Sequence, residues 1–78
     1  TIHIQYFAVL REQRGCREET LATAATTPAH LYRELQEKYK LTLPEKVLRV
    51  AINDEFKDWN TPLQSGDRVV FIPPVAGG

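Results

Sequence analysis

Apolar residues at the start of the chain fall at every second position. Ile2, Ile4, Tyr6 and Ala8 share one face of an extended strand, and His3, Gln5, Phe7 and Val9 share the other. Ile2, Ile4 and Tyr6 are expected in the core, which leaves Phe7 as an aromatic ring on the otherwise polar side. The charged stretch 11–16, ending near Gly15, reads as a connection, and 17–22 as a short second strand. The period then changes. Thr27-Pro28 is a helix start, with a threonine suited to capping free N–H groups and a proline pre-set for the first helical position. Leu31, Leu35 and Tyr39 recur at four-residue spacing with Tyr32 alongside, while Arg33, Glu34, Glu37 and Lys38 take the solvent side. This spacing predicts one amphipathic helix over 28–39.

Pro44 closes the next connection, and alternation returns over 47–53 with Leu48, Val50 and Ile52 on one face. Asn53-Asp54 marks a turn into a short strand over 55–57. Leu63 serves as a buried anchor, Gly66-Asp67 as a turn, and 68–72 as the final strand, which Pro73-Pro74 must end because proline cannot donate to a ladder. The order strand, strand, helix, strand, short strand, strand predicts an α+β fold with a mixed sheet packed against one main helix. The β-grasp arrangement of ubiquitin-like domains fits this order. By analogy with that fold, the first and last strands are expected to be parallel neighbours at the centre of the sheet. If Val69 and Phe71 then face the core, Val70 and Ile72 share the outer face with Phe7, forming an apolar patch at the end of the sheet from which residues 73–78 continue.

Seventy-eight residues make a single domain, 1–78. Ten basic residues balance ten acidic ones without a basic stripe, so neither nucleic acid nor an anionic membrane is an expected partner. No apolar stretch approaches the ~20 residues of a membrane span, and a cytoplasmic location is expected. The single cysteine, Cys16, cannot form an internal disulfide and reads as an incidental loop residue, although Arg14 and Arg17 flank it. His3 and His30 lie on different elements, no phosphate-cradling glycine loop precedes a lysine, and the acidic pairs sit in turns or at strand edges. No metal site, no bound cofactor and no self-contained active site are expected.

The sequence ends on Gly77-Gly78 behind an uncharged run, so the only charge expected in its last ten residues is the terminal carboxylate. Two residues without a Cβ form the thinnest peptide available and thread a channel that any side chain would block. Gly78 is therefore the candidate reacting residue, Gly77 supplies steric clearance, and Pro73-Pro74 form a stiff spacer in a flexible tail, 73–78. Phe7, Val70, Ile72 and Val75 are the candidate partner-binding residues.

Tyr6-Phe7-Ala8 followed by Leu10-Arg11-Glu12 and Gly15, the Thr27-Pro28 helix, Leu63 with Gly66-Asp67, and Phe71-Ile72-Pro73-Pro74-Val75-Ala76-Gly77-Gly78 together resemble the small subunits of molybdopterin synthase, ubiquitin-like sulfur carriers. The terminal Pro-Pro-Val-x-Gly-Gly block is the most specific part. Gly-Gly alone would also suit a carrier of the thiamine pathway or a covalent protein modifier. Ile72 departs from the pattern where an aromatic often precedes the prolines. The resemblance implies that an adenylating enzyme uses ATP to activate the Gly78 carboxylate, and that a sulfur donor converts it to a thiocarboxylate. The large catalytic subunit then receives the sulfur, which attacks a pyranopterin precursor on the way to the molybdenum cofactor.

Overall fold

The computed structural model describes residues 1–73. Five strands and two helices follow in the order β1 (Ile2–Tyr6), α1 (Ala8–Arg14), β2 (Glu18–Leu21), α2 (Pro28–Tyr39), β3 (Arg49–Ile52), β4 (Glu55–Lys57) and β5 (Arg68–Ile72), with a 3-10 turn at Glu45–Val47 before β3. The strands form one mixed sheet in the order β2-β1-β5-β3-β4. β1 and β5 run parallel through its centre, pairing Ile4 with Val69 and Tyr6 with Phe71. The remaining pairs are antiparallel. This is the expected β-grasp, with α2 laid across one face.

Helix α2 has the bounds its periodicity predicts. The Thr27 side chain accepts the His30 N–H at 3.2 Å, Pro28 occupies the first turn, and Lys40 leaves the helix in the left-handed region. Leu31, Tyr32 and Leu35 have no exposed surface. Full burial of each leucine stabilises the fold by about 1.5–3 kcal/mol. They meet Ile2, Ile4, Tyr6, Val50, Ile52, Val69 and Phe71 from the sheet in one cluster. Within it Phe71 stacks on Trp59, centroids 5.8 Å apart, and lies 5.1 Å from the Tyr32 ring. The Tyr32 hydroxyl donates to the Leu43 carbonyl at 2.6 Å, which satisfies it, and burial raises its pKa to about 12.

One connection is a helix. Residues 8–14 form α1 where the alternation suggested that the first strand ran on through Ala8 and Val9 and gave way to a loop from Arg11. The chain leaves extended geometry at Ala8, whose φ of 52° lies in the left-handed region. Leu10 then falls into the core with no exposed surface. Gly15, φ 84°, caps the helix and donates its N–H to the Arg11 carbonyl at 2.9 Å, with Arg11 and Arg14 suitably placed in the last turn. Seven residues give fewer than two turns, too few for a 3.6-residue period to declare itself.

The Asn53-Asp54 turn has both residues at positive φ, 52° and 71°, the geometry that joins two antiparallel strands through a two-residue hairpin. Asn53 also ties the hairpin to β5: its side-chain amide donates to Asp67 at 2.9 Å, and its oxygen accepts the Arg68 N–H at 3.0 Å.

Candidate functional site

Register decides what the outer face of the sheet presents. Val69 and Phe71 point to the core with their partners Ile4 and Tyr6, so Val70 and Ile72 point outward, as expected. Phe7 is extended, φ −122° and ψ 151°, which continues the alternation of β1 for one more residue and turns its ring to the same outer side. Following the parallel register, Phe7 falls level with Ile72. The left-handed Ala8 immediately after it costs about 1 kcal/mol and redirects the chain into α1, so the ring sits at a sharp corner. Phe7 is 41% exposed.

Two details differ from the expected patch. Val70 is only 6% exposed, because it lies on an interior strand between Gln5 of β1 and Ala51 of β3, whose neighbouring atoms close over it. It contributes to the floor of the patch and little to its contact surface. Phe56, in contrast, pairs across the ladder with Ala51, which places it on the same outer face, and it is 65% exposed, the most exposed of the large apolar side chains among the described residues. Its place on the outer face was hidden in the sequence because a three-residue strand shows no alternation. The Asn53-Asp54 turn, followed by counting two residues on, was the signal that could have found it. Ile72 is half-buried and pairs with Arg49 of β3. Phe7, Ile72 and Arg49 thus line the end of the face where β5 finishes, with Phe56 beside them on the edge strand, level with Val70. Val75, Gly77, Gly78 and Pro74 lie outside the described residues, and Pro73 directly follows β5.

The opposite end of the outer face is polar. A shallow groove of about 770 Å³ there is lined by His3, Gln5, Glu18, Thr20, Asn53, Asp54 and Arg68. His3 Nδ1 lies 2.9 Å from the Thr20 hydroxyl, and the exposed Arg68 lies 3.8 Å from Asp54. Among the described residues no group of histidine, cysteine and carboxylate side chains could hold a metal ion. Cys16 is half-buried against the edge of the core.

The corner that carries Phe7 is braced from behind. Arg14 of α1 makes two hydrogen bonds to the Glu19 carboxylate of β2, at 2.8 and 2.9 Å, and the Tyr6 hydroxyl donates to the same carboxylate at 2.6 Å. The Arg14 guanidinium lies 3.8 Å from the centroid of the Tyr39 ring of α2. Three elements are thereby joined at one carboxylate, and Arg14 links α2 to them. The hydrogen bonds from Arg14 hold the Glu19 pKa below the usual carboxylate range against an opposing desolvation, and burial together with Glu19 pushes the Tyr6 phenol upward.

Comparison with known proteins places this geometry in a family. The ThiS family model matches residues 4–78. The chain belongs to the ThiS family. Among its relatives, a molybdopterin synthase sulfur carrier subunit of Mycobacterium tuberculosis is 35% identical over 99% of this chain and 96% of its own length. One from Haemophilus influenzae is 33% identical over 99% of both. A solved complex of subunits 1 and 2 of the molybdopterin-converting factor from Helicobacter pylori contains a chain that is 31% identical, with a TM-score of 0.69 over 99% of this chain and 97% of that one. In this chain the outer face presents the exposed rings of Phe7 and Phe56 and the half-buried Ile72. Replacing Phe7 by alanine is expected to weaken association with a large subunit about 10-fold or more, as truncation of an aromatic anchor does, while leaving thermal stability nearly unchanged. Calorimetric titration and thermal denaturation of the same variant check both halves, and a large fall in Tm would place Phe7 in the core.

Proposed function

We propose that this chain is a sulfur carrier of molybdopterin synthase, working through the carboxylate of Gly78. The observation that carries the reading is whole-length similarity to sulfur carrier subunits at 33–35% identity, in a chain ending Pro-Pro-Val-Ala-Gly-Gly. The domain is the handle and the last residue the cargo site. A carboxylate is a poor electrophile at neutral pH, because it is anionic and resonance-stabilised. An adenylating enzyme overcomes this with its own ATP: a carboxylate oxygen attacks the α-phosphorus, pyrophosphate leaves, and the acyl-adenylate at Gly78 carries AMP as a leaving group. A sulfur donor displaces AMP and leaves a thiocarboxylate. The large subunit of the synthase then takes the loaded end, the thiocarboxylate sulfur attacks a carbon of the pyranopterin precursor and displaces an oxygen leaving group from it, and water cleaves the acyl C–S bond of the resulting thioester, leaving the sulfur on the precursor and Gly78 as a carboxylate.

Each of the chain's own parts has a role in this cycle. Gly77 and Gly78 keep the reacting end narrow enough for a catalytic channel. Pro73 and Pro74 restrict the conformations of the segment that must be threaded, which lowers the entropy lost on binding. Phe7, Ile72 and Val75, with Phe56, dock the domain beside that channel, on the floor that Val70 completes. The domain itself binds no cofactor in this scheme, and the cycle is cytoplasmic. Intact mass after co-expression with the adenylating enzyme and its sulfur donor is expected to show one oxygen-to-sulfur exchange located at Gly78. Conjugates of the chain to lysine amines of other proteins, appearing as ladders on denaturing gels in place of that exchange, would identify a protein modifier.

A further inference from the structure

The outer face carries a charge that its apolar surroundings do not explain. Arg49 is exposed, stands directly across the ladder from Ile72, and has no ion-pair partner among the described residues. Its guanidinium lies 5.8 Å from the centroid of the Phe56 ring, a cation–π distance that biases the long side chain toward lying over the patch. The other arginine on this face behaves differently: Arg68, at the polar end, has Asp54 beside it at 3.8 Å.

We propose that Arg49 determines specificity in docking, by meeting an aspartate or glutamate side chain that the large synthase subunit presents to the Phe56–Ile72 patch. The inference rests on the sulfur-carrier reading above. A protein that covers Phe7, Ile72 and Phe56 also covers Arg49, which lies between Ile72 and Phe56. Desolvating an unpaired guanidinium opposes binding strongly, so a fitting partner supplies a carboxylate there. Guanidinium geometry favours a carboxylate, which it grips through two parallel hydrogen bonds. Apolar contacts tolerate small rotations of one surface on another, whereas a two-point ion pair does not. Placed next to the last strand residue before Pro73, the pair would set the angle at which the following segment enters its channel. A partner lacking the carboxylate would be rejected.

The test is titration of the large subunit from the same organism with wild type, Arg49→Gln and Arg49→Glu, each at low and at high salt. All three are expected to melt at the same temperature, since Arg49 is exposed. Arg49→Gln is expected to weaken binding about 30-fold and Arg49→Glu more, with a flatter salt dependence for Arg49→Gln than for wild type. Wild-type binding accompanied by affinities within about twofold for both variants would overturn the proposal while leaving the sulfur-carrier reading in place. Equal losses at low and high salt would overturn it too, by making Arg49 a packing element. Failure of wild type itself to bind would remove both readings.

Discussion

Substituting alanine for Gly78 is expected to leave a fully folded protein whose sulfur delivery falls by about 100-fold or more. The two effects arise at different places in the chain. The core cluster is drawn from residues between Ile2 and Phe71, so a methyl group on the last residue removes none of its contacts. At the proposed reacting end the same methyl group enters the one place where the sequence has dispensed with side chains for two consecutive residues. A channel shaped to glycine must either exclude the Cβ or shift the carbonyl carbon away from its attacking group, and small displacements of reacting atoms are costly. Deleting Gly77 and Gly78 together is expected to abolish delivery outright. Reconstituted synthase turnover reads the activity and thermal denaturation the fold. Wild-type turnover from Gly78→Ala would show that no narrow channel grips this end.

The second large effect is expected on stability. Replacing Glu19 with alanine removes the shared acceptor of Arg14 and Tyr6. The Tyr6 residue is 1% exposed, and the Arg14 side chain 24%, so the phenol is left with little access to water and the guanidinium with some. A loss of about 3 kcal/mol is expected, less than the upper range for breaking a fully buried pair, with Tm falling by on the order of 15 °C for a domain of this size. The effect depends on pH in a definite direction. The folded state lowers the Glu19 pKa, so the ionised carboxylate stabilises the fold fully above the unfolded-chain value of about 4.3, and this contribution is lost as pH falls through the lower folded value. Wild type and Glu19→Ala should therefore converge on acidification. Denaturant unfolding at neutral pH and in that acidic window checks the sign, and a stability gap that widens on acidification would contradict it. Because Arg14 belongs to α1, whose first residue directly follows Phe7, the variant should also bind a large subunit less well.

The two kinds of element that set up this site differed in how visible they were beforehand. Helix α2, the strand β5 and the Asn53-Asp54 turn were legible because each has a local cause: four-residue spacing behind a Thr-Pro start, a β-branched run stopped by proline, and a residue pair that tolerates positive φ. Helix α1 was not, since seven residues are too few to show a period and the step that begins it is a left-handed alanine. The docking face was half visible. Phe7 and Ile72 were placed on it by alternation together with the β-grasp analogy that makes the first and last strands parallel neighbours, whereas Val70 was assigned surface that its flanking strands remove. Phe56 and Arg49 were absent from it because they join the face only through the pairing of β3 with β4 and β5.

What the amino-acid order determined by itself was most of the elements, the inward and outward sides of β1, β3 and β5, and the helix α2 that closes one face. These follow from backbone geometry that repeats every two or 3.6 residues and is read within a short window. Tertiary structure alone decided which outward residues become neighbours, how much of Val70 remains exposed, and that Tyr6 and Arg14 meet on the Glu19 carboxylate with Arg14 packed over the Tyr39 ring. Those outcomes depend on register and on the order of strands across the sheet, where contacts join residues dozens of positions apart and no local pattern records the pairing.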